Sequence, residues 1–213
     1  MSTFIQYGAG LCGPVGWKNY DSSPMLRLQR IPLLNLLPLA KQGAPYPKTV
    51  VYGDVVKGLP VLSNSADLVY CSHTLEHLTL EDCRVALRET FRETFRILKP
   101  GGVFRAVMPD LRYLCSAYLA RNASDPEGAA AFLRASNLGI ERRARGMARL
   151  RGFFSRDAHL WMWDYAAIRF ELKQVGFVGI RKAAYGDSSH VAFADVESLH
   201  RWENCLGFEA TKA

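Results

Sequence analysis

Two stretches of the sequence decide the fold: VVYGDVVKGLPVLSNSADLVYCSHTLEHL at residues 50–78 and RILKPGGVFRAVMPDL at residues 96–111. Each contains a short apolar run bounded by polar turns, Ala66–Cys71 in the first and Val103–Met108 in the second. Such runs are typical of strands that are buried on both faces of a parallel sheet. The sequence therefore predicts two neighbouring central strands.

The residues between these runs have the pattern of a helix. Apolar side chains recur there at helical spacing, and Lys-Pro-Gly-Gly at residues 99–102 predicts the end of the helix. The apolar positions are Val85, Phe91, Phe95 and Leu98. Strand, helix and strand form a βαβ unit, in which a tandem RETF repeat at residues 88–95 adds one helical turn with a modest rotation.

Polar residues gather directly after the two predicted strands. His73, Glu76 and His77 follow the first strand, and Asp110 follows the second. Ligands of open α/β sheets bind outside the carboxyl ends of the strands. The sequence therefore predicts the functional site at this edge of the sheet.

The rest of the chain supplies the outer strands. We predict them at Phe4–Tyr7, Trp17–Tyr20, Val50–Tyr52, Ile180–Ala184 and Leu206–Thr211, with a helix that ends at Gly176. The first two flank a GxGxxG pattern, which is weak alone because the acidic ribose contact of a dinucleotide fold comes ~20 residues later. Here Asp21 follows the last glycine by only eight residues, so we predict a tight glycine loop without a full crossover helix.

The segments SADLVYCSHTLEHL and LKPGGVFRAVMPDL resemble the middle of the class I S-adenosylmethionine-dependent methyltransferases. The small bacterial type-11-like enzymes, with their SHxLEHL and LKPGG motifs, are the most similar group. The resemblance implies an α/β fold with a doubly wound, seven-stranded, mostly parallel sheet and an antiparallel last strand beside the sixth. It implies a single domain at 1–213, in which residues 111–160 form a helical lid or acceptor-site insertion.

The resemblance also implies a cofactor site for S-adenosylmethionine, with S-adenosylhomocysteine as the product. Relatives that read GCG…GWxNxD place their glycines against the methionine part and an aspartate on the ribose hydroxyls. Glycine permits close backbone approach, and a carboxylate can accept both hydroxyl hydrogen bonds. The residues expected to bind the cofactor are Gly8, Gly10, Asp21, Asp54 on the adenine side, Ser72 and His73.

One position departs from the family pattern. Gln6 and Tyr7 stand where relatives often have an acidic residue that anchors the amino group of the cofactor. This departure favours the main alternative function, a non-catalytic relative that binds the cofactor or a partner protein.

The expected activity is methyl transfer, with an oxygen of a sugar, glycan or other small polar molecule as the acceptor and a role in polysaccharide biosynthesis. A hydroxyl acceptor gains from a base near neutral pKa, so the catalytic candidates are His73 and His159, with Asp110 as second choice. The residues expected to contact the acceptor are Trp161, Trp163, Tyr165 and, from the basic segment ERRARGMARLRGFFSR, Arg145 and Arg149. The arginines favour an anionic or lipid-linked acceptor.

A distant third interpretation is a zinc hydrolase. His73-Thr-Leu-Glu-His77 matches HxxEH, in which both histidines lie on one face of a helix. The motif follows directly on a buried strand, and no second motif supplies the third ligand of a catalytic zinc. We therefore expect no metal ligands.

Composition agrees with one globular domain. The chain has 213 residues, 49% of them hydrophobic, and a formal net charge of +7. No apolar run reaches the ~18 residues of a membrane span, and the amino terminus does not resemble a signal peptide. The five scattered cysteines are typical of reduced cytosolic thiols, so we expect a cytoplasmic protein that can lie peripherally at the inner membrane surface. Nucleic acid is not an expected partner, and the oligomeric state is not indicated.

Overall fold

The computed structural model describes residues 2–38, 40–41, 44–77, 80–139 and 159–213, without the side chains of residues 80–86. Seven strands form one sheet in the order β3-β2-β1-β4-β5-β7-β6. The strands are β1 (Phe4–Tyr7), β2 (Lys18–Asp21), β3 (Val50–Tyr52), β4 (Ala66–Ser72), β5 (Leu98–Pro109), β6 (Phe177–Ala183) and β7 (Cys205–Lys212).

Five α-helices are described around this sheet. They are α1 (Pro24–Arg30), α2 (Leu80–Ile97), α3 (Leu111–Leu119), α4 (Gly128–Ser136) and α5 (Tyr165–Val175). Side chains start three of them: Ser23 caps α1, Asp110 caps α3 and Asp164 caps α5, each accepting a backbone hydrogen bond from the first turn. α5 ends at Gly176 in a left-handed conformation, as the sequence predicts. Among the described residues, no helix is long and apolar enough to cross a membrane.

The strand directions confirm the predicted fold class. β1 pairs in parallel with β2 and β4, and β4 pairs in parallel with β5. β7 is antiparallel and lies between β5 and β6, in contact with both. Because successive connections run outward from β1 and β4 in opposite directions, the topological switch point lies between these two strands.

The Lys-Pro-Gly-Gly segment differs from its prediction in one respect. α2 ends at Ile97, but the segment belongs to β5, which starts at Leu98, five residues before the predicted boundary at Val103. Leu98 pairs with Ala66 and Val103 pairs with Leu68, so the register shifts between the two pairs. The two glycines therefore lie in an irregular start of the strand, where the sequence predicts only a helix stop.

The main hydrophobic core lies between the sheet and the helices α2 and α5. Phe104 of β5 is fully buried at its centre and packs edge-on against Phe91 of α2 and Phe208 of β7. Ile168 and Leu172 of α5 close the same cluster. This packing fixes the carboxyl ends of β4 and β5, where the predicted site lies.

Candidate functional site

The glycine loop after β1 is tied to the end of β2 by Asp21. The Asp21 carboxylate accepts hydrogen bonds from the backbone N–H of Gly10 at 2.8 Å and of Ser23 at 2.7 Å. Gly8 and Gly10 have φ values of +64° and +53°, in the left-handed region that favours glycine. The carboxylate and both glycines are therefore brought together at the switch point of the sheet.

Gly8 also connects this loop to the segment after β4. A Cβ atom built on Gly8 would lie 1.8 Å from Oγ1 of Thr74, so only glycine permits this contact. A Cβ on Gly10 would meet no atom of the described residues within 4 Å. The loop is thus closed against Thr74 on one side and open at Gly10, where a ligand can approach the backbone.

Asp54 follows β3 in a turn. Its carboxylate accepts the N–H of Val56 at 3.1 Å and lies 3.6 Å from Nζ of Lys57, an exposed side chain. These contacts are those of a turn aspartate, and the proposed adenine contact stays a prediction.

His73 is held at the end of β4 with φ at +49°. Its Nε2 lies 2.9 Å from the carbonyl oxygen of Arg201, and its Nδ1 lies 3.3 Å from Oε1 of Glu76. The Arg201 guanidinium also donates to the hydroxyl of Ser72 at 2.8 Å. Both ring nitrogens therefore face oxygen acceptors, which an imidazolium satisfies better than a neutral ring.

Opposing influences set the pKa of His73. Burial lowers it, but the Cys205 thiol, the Glu76 carboxylate and the Arg201 carbonyl together raise the pKa to about 9. The ring is therefore cationic at neutral pH in this structure.

The turn that contains His159 is attached to the backbone of Glu76. The Glu76 carbonyl accepts the N–H of Leu160 at 2.8 Å and the N–H of Trp161 at 3.1 Å. The indole N–H of Trp163 donates to the carbonyl oxygen of Leu75, next to Glu76 in the chain, at 3.4 Å. These bonds bring His159 beside the residues that follow β4.

Glu76 is a buried carboxyl group in this part of the site. Its side chain is 1% exposed, and neither carboxylate oxygen has a hydrogen bond to any described residue. Oε1 lies 3.8 Å from Nε2 of His159 and near Nδ1 of His73. The ring of His77 packs edge-on against the ring of His159, with 5.2 Å between the ring centroids.

His159 is oriented by a backbone carbonyl. Its Nδ1 lies 2.7 Å from the carbonyl oxygen of Ser136, at the end of α4. Since a carbonyl only accepts, the neutral ring carries its proton on Nδ1 and a lone pair on Nε2. Burial lowers the pKa of His159, and this effect outweighs the nearby Glu76 carboxylate.

Asp110 and the three predicted aromatic residues each make contacts that hold the local structure. Asp110 accepts the N–H of Arg112 as the cap of α3, and its backbone bridges to Trp163. Trp163 is buried, and its ring packs edge-on against the half-buried Trp161. The hydroxyl of Tyr165 donates a hydrogen bond to the Ile180 carbonyl on β6, so this polar atom contacts an outer strand of the sheet. Arg145 and Arg149 lie outside the described residues.

Comparison with known proteins agrees with this geometry. Residues 34–106 match the model of a family described as a methyltransferase domain. The sheet order, with its antiparallel strand inserted before the last position, is the class I methyltransferase fold. A sequence comparison with curated proteins finds no match.

Solved structures show the same fold as this chain. One is a SAM-dependent methyltransferase from Archaeoglobus fulgidus, with 15% identity and a TM-score of 0.52, covering 99% of this chain and 86% of that chain. Another is phosphoethanolamine N-methyltransferase 2 from Haemonchus contortus with S-adenosyl-L-methionine, at 15% identity and a TM-score of 0.50. That match covers 100% of this chain and 49% of the other, so the chain spans about half its length.

The structure corrects the geometry implied by the HxxEH pattern. His73 ends the strand with a positive φ, and Leu75–His77 form a single 3-10 turn, so the two histidines do not share one face of an α-helix. The ring that lies against His77 is that of His159. The contacts of Thr74, Arg201 and Cys205 could not be predicted from the sequence, because no local pattern marks a contact between segments that are far apart in the chain.

Proposed function

We propose that the chain is an S-adenosylmethionine-dependent methyltransferase that methylates an oxygen of a sugar, a glycan or another small polar acceptor. The observation that carries the proposal is the Asp21 carboxylate, held at the end of β2 beside the glycine loop. Each of its oxygens accepts one backbone bond and keeps a second lone pair, so the carboxylate can accept the two hydroxyls of a ribose. The match to a methyltransferase domain supports the same cofactor.

The residues at the switch point fit this cofactor. The open backbone at Gly10 leaves space for a ligand next to the Asp21 carboxylate. Oε1 of Gln6 is buried without a hydrogen-bond partner among the described residues, so β1 offers an unused acceptor. An amide oxygen can accept a bond from the amino group of the cofactor where relatives often use a carboxylate.

The cofactor, when bound, supplies a methyl group that is already activated by the sulfonium. The chain must therefore orient the acceptor and exclude water more than it must move protons. We place the acceptor oxygen at the turn of His159, whose Nε2 carries a lone pair when the ring is neutral. His73 is a poorer base because both its ring nitrogens face oxygen acceptors, and Asp110 is engaged as a helix cap. Arg145 and Arg149 are part of the proposal as contacts for an anionic acceptor.

Substitution of Asp21 tests the cofactor site. Asp21→Ala should weaken S-adenosylmethionine binding by about 1.5–3 kcal/mol, because hydrogen bonds to a charged group are lost. Asp21→Asn should keep the size of the side chain but lose the charge-assisted bonds. Isothermal titration calorimetry on the folded variants measures both effects.

Asp67→Ala is the matched control for this experiment. Asp67 pairs with Lys99 near the start of β4, at the opposite edge of the sheet, and its loss should leave cofactor affinity unchanged. Equal affinity for wild type and Asp21→Ala would contradict the assignment of the ribose site. Binding without methyl transfer to any acceptor tested would favour the non-catalytic alternative.

A further inference from the structure

The Glu76 carboxyl group is buried, and most of its hydrogen-bonding capacity is unused among the described residues. Both oxygens lack a hydrogen bond to the described residues, although Oε1 lies 3.3 Å from Nδ1 of His73. A buried carboxylate is normally paired, hydrogen-bonded or bound to a metal, because removing its charge from water is costly. One contact with His73 leaves at least one oxygen, Oε2, unexplained.

Two imidazoles stand around this carboxylate at distances suited to metal binding. The possible ligand atoms of Glu76, His77 and His159 all lie within 4.8 Å of one another, and Nε2 of His159 is 3.8 Å from Oε1 of Glu76. Two ligands on one tetrahedral zinc with bonds of 2.0–2.1 Å lie about 3.3 Å apart. The pair of Glu76 and His159 is within about 0.5 Å of this spacing, and the remaining pairs would reach it through movements of at most about 1.5 Å.

The backbone around these residues already holds them in place. The Glu76 carbonyl binds the two amides that follow His159, so the carboxylate and this imidazole belong to one hydrogen-bonded turn. Nδ1 of His159 faces the Ser136 carbonyl, which directs the Nε2 lone pair toward the cluster. Metal-binding histidines usually donate their other ring N–H to a carbonyl or carboxylate in this way.

We propose that Glu76, His77 and His159 form a binding site for a divalent transition-metal ion, for which Zn²⁺ is the test ion. One carboxylate and two imidazoles are a ligand set that zinc accepts, and imidazole suits iron, nickel and copper as well. From the sequence alone no metal ligands are expected, and this site departs from that prediction.

His73 is excluded from this ligand set by its own contacts. Nε2 of His73 is held by the Arg201 carbonyl, and Nδ1 faces Glu76 as an ion-pair partner. The proposed site therefore differs from an HxxEH zinc site, in which the histidines at positions 73 and 77 would be the pair. This difference can be tested by substitution.

Three protein ligands leave at least one coordination position open. The next step rests on the proposed function: the open position takes an oxygen of the acceptor. The segment that carries Glu76 adjoins the glycine loop, because Thr74 contacts Gly8. The acceptor is then a molecule with a hydroxyl or carboxylate oxygen that can bind a metal. His159 would then bind the metal in place of acting as the base, and the metal would make the bound hydroxyl acidic enough to release its proton to solvent water.

Equilibrium dialysis of the chelator-treated full chain against ZnCl₂, with metal analysis, tests the site. Wild type should bind one zinc ion per chain, and Co²⁺ in its place should give the visible absorption of a nitrogen- and oxygen-ligated ion. Glu76→Gln and His159→Gln should each weaken zinc binding at least tenfold. His73→Gln and the matched control His190→Gln, an exposed histidine, should retain it.

The outcomes separate the metal site from the proposed function. No stoichiometric zinc in wild type, or unchanged zinc affinity in His159→Gln, would overturn the site. If His73→Gln lost zinc binding while His159→Gln retained it, the metal would belong to the histidine pair of the HxxEH motif. That result would also overturn the proposed site. Calorimetry with S-adenosylmethionine on the same samples reports on the cofactor site alone, so either proposal can fail while the other stands.

Discussion

Gly8 and Gly10 share a left-handed backbone but differ in what surrounds them. A side chain at Gly8 would overlap Thr74, whereas a side chain at Gly10 would extend into open space. Both alanine substitutions incur the strain of a positive φ, about 1–2 kcal/mol, and only Gly8→Ala must also displace Thr74. Gly8→Ala should therefore lower the free energy of unfolding more than Gly10→Ala, measured by urea denaturation.

A second substitution checks the cause of this difference. Thr74→Ala removes the hydroxyl that the new Cβ would meet, so it should restore part of the stability lost in Gly8→Ala. Equal losses in the two glycine variants would show that Thr74 moves at little cost.

For individual residues, the sequence predicted which residues come close together within one loop better than which residues from distant segments contact each other. Gly8, Gly10 and Asp21 come together as expected, because a short loop between two parallel strands leaves few arrangements. The contact of His77 with His159 could not be predicted, since it depends on the hydrogen bonds from Leu160 and Trp161 to the Glu76 carbonyl. The two histidines of an HxxEH motif share one face only when the motif lies in an α-helix. Here the motif begins at the end of a strand.

The tandem RETF repeat of α2 shows how one element accommodates a duplication. Four residues turn an α-helix by about 400°, so the second copy is rotated by about 40° from the first. Phe91 in the first copy is fully buried, whereas Phe95 in the second is partly buried beside Phe177. The two phenylalanines therefore have different environments despite identical local sequence.

Phe91→Ala should destabilise the protein more than Phe95→Ala. Truncation of a fully buried phenylalanine costs about 3–5 kcal/mol, and a partly buried one loses less because less apolar surface leaves the core. Chemical denaturation of the two variants, which serve as matched controls for each other, measures the difference. A larger loss for Phe95→Ala would mean that its contacts with Phe177 and Lys212 outweigh burial.

The strands were the most predictable elements. The sequence predicts all seven within a few residues except for the early start of β5, because buried apolar runs bounded by turns have few alternatives. The direction and place of β7 followed from the family resemblance and not from the residues. The hydrophobic periodicity of a strand does not indicate which distant strand it pairs with.

An ion-pair cluster joins the last three strands of the chain, β5, β6 and β7. Arg105 of β5 is fully buried and donates to Asp187, Glu197 and Glu209. Arg181 of β6 donates to Asp187 and Glu209 as well. The cluster ties β5, β6 and β7 to the loop that follows β6, so its charges contribute to the stability of the assembled sheet.

The stability of this cluster should depend on pH. Partial burial acts to raise the pKa of Asp187, but Arg181, the Ala184 amide and Arg105 lower it from 3.8 to about 2. Because the folded pKa lies below the unfolded one, the ionised carboxylate stabilises the fold above about pH 4 and loses this effect toward pH 2. Asp187→Asn should therefore be less stable than wild type at pH 7, and the gap should narrow from pH 4 to pH 2.

Thermal unfolding of both proteins at a series of pH values measures this gap. A difference that stays constant from pH 7 to pH 2 would show that Asp187 does not contribute through its charge.

The insertion of β7 between β5 and β6 has a consequence for how the chain folds as it is synthesised. β6 leaves the ribosome before β7, yet β7 is its one pairing partner in the described sheet. Until residues 205–212 have emerged, β6 lacks its native pairing partner and Arg105 lacks Glu209. The first five strands can pair during translation, whereas the last two must wait and enter the sheet together.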